Sequence, residues 1–191
     1  HLTPPYDGPY GAYDSLATVT LSASASSISF AGIPTGYKHL QIRGITQSNY
    51  NFPVDDAYLR FNGDSGSNYA SHMVQGNGSA ASAGSLAPIP ATWAQILWGT
   101  VGTTSGNQTT ASWGPFILDA LDYSNINKYK TIRTLSGNDC NGTGNAGLGG
   151  RIAFASGLWQ NTAPITSIEI ICAQGARNFQ IYSSFALYGV K

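Results

Sequence analysis

The chain has 191 residues with nine basic and nine acidic side chains, a formal net charge of zero, so it lacks the cationic stripe by which proteins neutralise nucleic-acid phosphates or anionic lipid. Only 9% of residues are charged against an ordinary 42% hydrophobic, and no run approaches the roughly 20 apolar residues that span a bilayer. The expectation is one soluble domain with no nucleic-acid partner and no membrane insertion, whose Ser-, Thr-, Asn- and Gly-rich surface suits tight assembly because few ions must be desolvated on contact.

In chain order, "HLTPPYDGPYGAY" (His1 to Tyr13) has no periodicity and predicts an extended arm or linker over residues 1–13. No basic region followed by an apolar one opens it, and a start at His1 reads as the absence of the true beginning. Pro4 and Pro5 favour extension at small ordering cost. Tyr6, Tyr10 and Tyr13 can bury rings on a neighbour while their hydroxyls stay hydrogen-bonded. These five residues are the candidate attachment arm.

The body, 14–191, reads as short strands at period two. "SLATVTL" puts Ala17, Val19 and Leu21 on one face; "SISFAGIP" offers Ile28 and Phe30 before a turn. "YKHLQIRGI" turns Leu40 and Ile42 inward, and "AYLRFNGD" does the same with Ala57, Leu59 and Phe61. After the low-complexity "GNGSAASAG" come "WAQILW", "GPFILDALDY", "YKTIRTL", "RIAFASGLW" and "ITSIEIIC". No stretch holds a helical period, so the prediction is an all-β sandwich of jelly-roll type. The last stretch, "FQIYSSFALYGVK", places Phe179, Ile181, Phe185 and Leu187 on one face of a half-buried closing strand.

Chemistry is sparse. "GDSGS" (Gly63 to Ser67) resembles the surroundings of a protease nucleophile, with His39 and Asp55 or Asp56 preceding it. A triad needs base and nucleophile brought across a cleft beside oxyanion-hole amides, and His39 and Ser65 stand about a hairpin apart. The motif is read as a turn. The scattered carboxylates do not declare a facing pair for glycan hydrolysis, and His1, His39 and His72 lack metal-ligand spacing. No cofactor, metal or catalytic residue is expected. Cys140 and Cys172 can form one bridge or none, with a buried thiol at Cys172 preferred. Of Trp93, Trp98, Trp113 and Trp159, the last stands beside Gln160 and Asn161 in a loop. These three are the candidate ligand-binding residues, a stacking platform and amides for a sugar.

Four segments together resemble a family of β-sandwich virion proteins of tailed bacteriophages, including many from aquatic and cyanobacterial hosts. They are "YDSLATVTLSASASSISFAGIPTGYKHLQIRG", "LRFNGDSGSNYASHMVQGNG", "LDYSNINKYKT" and "GLWQNTAPITSIEIICAQGARNFQIYSSFALYGV". The resemblance runs from Tyr13 to Val190 and lies in the order of the four. The family's usual small residues are replaced at Tyr182 to Ser184, and the Gln174 to Arg177 loop is individual. It implies a non-enzymatic structural protein on the particle surface, tail- or fibre-associated or decorating the capsid. Its partners would be other phage structural proteins, further copies of itself and, for an adhesion role, a host-surface glycan. A carbohydrate-binding module is the competing class.

Overall fold

The computed structural model describes residues 11–52, 54–91, 94–103, 112–139, 150–172 and 177–191, and of 86–91 and 94–103 the backbone alone. Every regular element among them is a strand. In order they are β1 (Tyr13–Thr20), β2 (Ser27–Ala31), β3 (His39–Ser48), β4 (Asp55–Phe61), β5 (Tyr69–Gly76) and β6 (Ala81–Ala91). Then follow β7 (Ala94–Thr103), β8 (Gly114–Leu121), β9 (Lys130–Asp139), β10 (Gly150–Trp159), β11 (Ser167–Cys172) and β12 (Ser184–Val190). Tyr13, read as the end of the arm, is instead the first residue of β1 and pairs with Val190. The Gly and Pro just before it conceal the alternation that starts there. Pro4, Pro5, Tyr6 and Tyr10 lie outside the described residues.

Eight strands form one antiparallel sheet, β1-β12-β3-β8-β9-β10-β5-β6, and four form a second, β2-β11-β4-β7. The two pack as a sandwich. A seam joins them through two parallel pairs, Gln47 with Gly102 and Ser48 with Thr103, and beside it Phe179 bridges Ser48 and Ala25, the latter in the connection before β2. Without β5, β6, β9 and β10, the remaining eight strands switch sheets at every step along the chain except from β4 to β7, which pair with each other in the narrow sheet. The chain ends close on its beginning, since β12 lies between β1 and β3, and β11 between β2 and β4.

Alternation places the core. Leu40, Ile42, Phe116, Leu118, Phe185 and Leu187 point inward from the broad sheet, against Ile28, Phe30, Leu59, Phe61, Ile168 and Ile170 from the narrow one. Phe185 meets Phe179 and Phe116 with ring centroids 5.3 Å and 6.2 Å apart. The Cys172 thiol is buried and free, and burial pushes its pKa up. Lys130 is also fully buried, yet its ammonium donates to the carbonyls of Asn125, Lys128 and Thr162 at 2.6–2.9 Å. Desolvation pulls its pKa down, and the three carbonyls oppose this by holding the charged form. The side chain thereby fastens the loop between β8 and β9 to the loop after β10.

The edges of the broad sheet are irregular. β1 shifts register between Ser15 and Ala17, and β6 carries Pro88 and Pro90 in the stretch between its paired Leu86 and Ala91. The closing strand is also shorter than its sequence pattern. Phe179 is buried, but Ile181 is 39% exposed and Tyr182 adopts φ 75°, so the alternation breaks before Ser184. The cause is a tight turn, in which Ser183 N–H donates to Gln180 O while Leu21 and residues 182–183 exchange backbone hydrogen bonds.

These positions separate in a mutational test. Phe185→Ala should cost about 3–5 kcal/mol because a fully buried ring leaves a cavity, whereas Ile181→Ala should stay within about 1 kcal/mol. Urea midpoints at unchanged slope would measure both. A small effect at Phe185 would remove the closing strand from the core.

Candidate functional site

The residues that hinted at hydrolysis are held apart by structural duties. Asn62 (φ 51°) and Gly63 (φ 67°) make the turn after β4, where a left-handed backbone favours those residue types. The Asn62 side chain accepts from Thr166 and Ser167 N–H and donates to Pro164 O, tying the turn to the loop before β11. Ser65 is exposed. His39 Nδ1 accepts the Asp122 backbone N–H at 3.0 Å. Asp55 is buried, bound to Ser48 Oγ at 2.6 Å and Arg177 Nη1 at 2.5 Å, and the Arg177 guanidinium lies 3.4 Å above the Tyr50 ring. Among the described residues no three His, Cys, Asp or Glu side chains gather as metal ligands would.

Trp159 overturns its own nomination. It is 1% exposed, stacked on Tyr69 (6.5 Å) and tilted against Phe61 (5.5 Å), and its indole N–H donates to Asp64 Oδ2 at 2.7 Å. Its place as the last inward residue of β10 makes it core, whatever the polarity of the loop that follows. Asn161 spends its side-chain oxygen on Ala163 N–H, and Gln160 joins Asn68 O through its backbone. The three do not form a sugar platform. Asp64 further accepts from Asn68 Nδ2 and Gly66 N–H, and the indole hydrogen bond, with these two, holds its carboxyl below the usual value near 3.8. Trp93 and the side chain of Trp98 lie outside the described residues.

A different surface stands out on the outward face of the broad sheet, where register builds parallel rows. One runs Ala186, Arg43, Ile117, Leu135, Phe154, Val74 and Ala83 across β12-β3-β8-β9-β10-β5-β6. Beside it on one flank run Tyr188, Gln41, Asp119, Arg133, Ser156 and His72. On the other flank lie Ile45 and Ile152. Ile45, Ile117, Leu135, Ile152, Phe154 and Val74 are 42–60% exposed. The polar row is knit internally, with Gln41 Nε2 to Asp119 Oδ1 at 2.8 Å and Arg133 Nε 3.5 Å from Asp119 Oδ2, and Arg43 of the first row donates its Nε–H to Gln41 Oε1 at 2.7 Å. Arg43 also lies about 5 Å from the Tyr13 and Tyr188 ring centres. At the end where β8 begins, Trp113, Ile117, Leu135, Ile152 and the Asn77–Ser79 turn line an open groove of about 1170 Å³.

The apolar residues face outward because of what lies beneath. Cα atoms of β7 come within 8 Å of those of β9 and β10, closer than the ~10 Å usual between packed sheets. Inward positions there are small, namely Thr134 and Ser136 on β9 and Ala153, Ala155 and Gly157 on β10. Ile152 and Phe154 have the opposite parity to the buried Trp159 and must point out. Sequence reasoning missed this face, because the buried parity of β10 is set by packing against β7 and not by the local pattern. Comparison with protein families, curated proteins and solved structures finds no match to this chain.

Asp64→Ala should cost about 2 kcal/mol by orphaning the indole N–H and two further donors, while Ser65→Ala should change stability by less than about 0.5 kcal/mol. Because the folded pKa of Asp64 is depressed, its contribution is present above the usual carboxylate range and is lost as pH falls through the folded value. Asp64→Asn should therefore flatten the acid limb of a stability–pH curve. An unchanged acid limb would remove the carboxylate from that role.

Proposed function

We propose that this chain is a non-enzymatic structural protein of a bacteriophage virion, exposed on the particle as a tail- or fibre-associated adhesion module. Capsid decoration is the second reading. The observation that carries an assembly role is the outward face: six large apolar side chains, contiguous and about half exposed, on a protein of zero formal net charge. Apolar patches of that kind mark interaction surfaces. The four-segment resemblance supports the virion setting.

The switching of eight strands between two sheets at every step but β4 to β7 supports a jelly-roll wrap. In that reading β5–β6 and β9–β10 are insertions that widen one sheet and create the face. The engagement of His39 by the Asp122 N–H and of Asp55 by Ser48 and Arg177, with Ser65 exposed, supports the non-enzymatic assignment. A carbohydrate-binding reading keeps one observation in its favour, the groove where Trp113 lies near Asn77 and Ser79. A ring beside amides and hydroxyls suits a glycan from a host surface.

Quantitative mass spectrometry of purified particles tests the setting. A handful or dozens of copies per particle fits a tail role, hundreds fit decoration, and absence from particles overturns the proposal. The arm is tested alongside it. Deleting residues 1–10 should leave the melting temperature unchanged and reduce incorporation, whereas deleting 1–13 should also lower the melting temperature because Tyr13 pairs with Val190. Undiminished incorporation of the shorter deletion would end the attachment role.

A further inference from the structure

The geometry points to a homodimer in which two copies stack the outward faces of their broad sheets about a two-fold axis running along the strands between β8 and β9. This rests on reading that face as an assembly surface, and it names the occupant as a second copy. The sheet order has a midpoint there, with β1-β12-β3-β8 on one side and β9-β10-β5-β6 on the other. A rotation about that line lays β8 on β9 of the second copy, β3 on β10, and β12 on β5. Each row is carried onto itself, reversed.

The side chains then meet complementary partners, as a self-complementary two-fold interface requires. Ile117 falls on Leu135 of the second copy, and Leu135 on its Ile117. Asp119 falls on Arg133 and Arg133 on Asp119, so the ion pair within each copy becomes one of two in a closed ring of alternating charge. One strand further out, the Arg43 guanidinium meets the face of Phe154, a cation–π pairing, and Ile45 meets Ile152. The small Ala186 falls opposite Val74. An axis displaced by one strand, between β9 and β10, would set Arg133 against Ser156 and leave Asp119 facing His72, without this match.

Packed sheets cross at about 30°, so the match is tightest at β8 and β9 and loosens outward. The six apolar side chains form a patch of a few hundred Å² on each copy. With the flanking polar row, burial on two copies approaches the roughly 1,200 Å² at which specific interfaces begin.

The test uses the full chain with Cys140→Ser, which removes the thiol that lies outside the described residues. Light scattering after size exclusion should give twice the 20.0 kDa chain mass. Leu135→Arg, at a half-exposed position that tolerates polarity, should weaken dimerisation by about 100-fold or more with an unchanged melting temperature. The combination Ile45→Cys with Ile152→Cys should form an intermolecular disulfide under mild oxidation, and either substitution alone should not. Within one copy these residues are three strand spacings apart, about 14 Å, beyond disulfide reach.

A monomer at millimolar concentration would overturn the dimer. So would a dimer indifferent to Leu135→Arg, or one lost on deleting residues 1–10, which would give the face to the arm. If the isolated chain is monomeric but Leu135→Arg blocks incorporation into particles, the dimer fails and the assembly-surface reading stands. If Leu135→Arg changes neither property, both fail.

Discussion

The fold depends on the return of the chain's last two strands into gaps left by its first four. β12 supplies the neighbour that β1 and β3 share, and β11 the one that β2 and β4 share. Until they arrive, those N-terminal strands have unpaired edges and apolar faces without a lid. Phe185 and Leu187 complete the core in the same step that completes the ladders, so packing and backbone hydrogen bonding are coupled at one place. Phe179, which bridges Ser48 of β3 and Ala25 in the connection before β2, sets where β12 enters.

A second constraint acts on the widened part of the sheet. β7 runs so close beneath β9 and β10 that inward positions along their middle, Thr134, Ser136, Ala153, Ala155 and Gly157, are small. The burial of Trp159 and Tyr69 at one end of β10 and β5 fixes the parity of both strands, and the large side chains go to the other face. What looks like an inverted hydrophobic pattern follows from close approach at one end of the strands and aromatic packing at the other. A chain that violates inside–outside patterning without loss of core elsewhere points to a surface meant to be covered.

Much of this architecture was legible in the residues. Period two in "YKHLQIRGI" and "AYLRFNGD" located strands and their inward faces, because each spans one buried and one open side. "GDSGS" was legible as a turn from its residue types. The boundary at Tyr13 was not, since one residue of alternation beside Pro and Gly carries no period. Nor was the break at Tyr182, where a left-handed turn interrupts a run whose hydrophobicity continues. Trp159 was misplaced because adjacent Gln and Asn describe the next loop, while its own side chain obeys the parity of β10. The outward face escaped notice for a physical reason: which parity of β10 is buried depends on how near β7 lies, a fact of tertiary packing absent from any local window.

The irregular rims of the broad sheet have a consequence for how large any assembly can grow. A strand rim with regular, free amides invites another strand, and repeated addition has no natural end. Here one rim is displaced by the shift between Ser15 and Ala17, and the other is interrupted at Pro88 and Pro90, which have no amide hydrogen to offer. Lateral fusion into open-ended ribbons is discouraged on both sides, leaving association through faces. Face contacts saturate once covered, so the same backbone features that blunt fibre formation favour objects of fixed size.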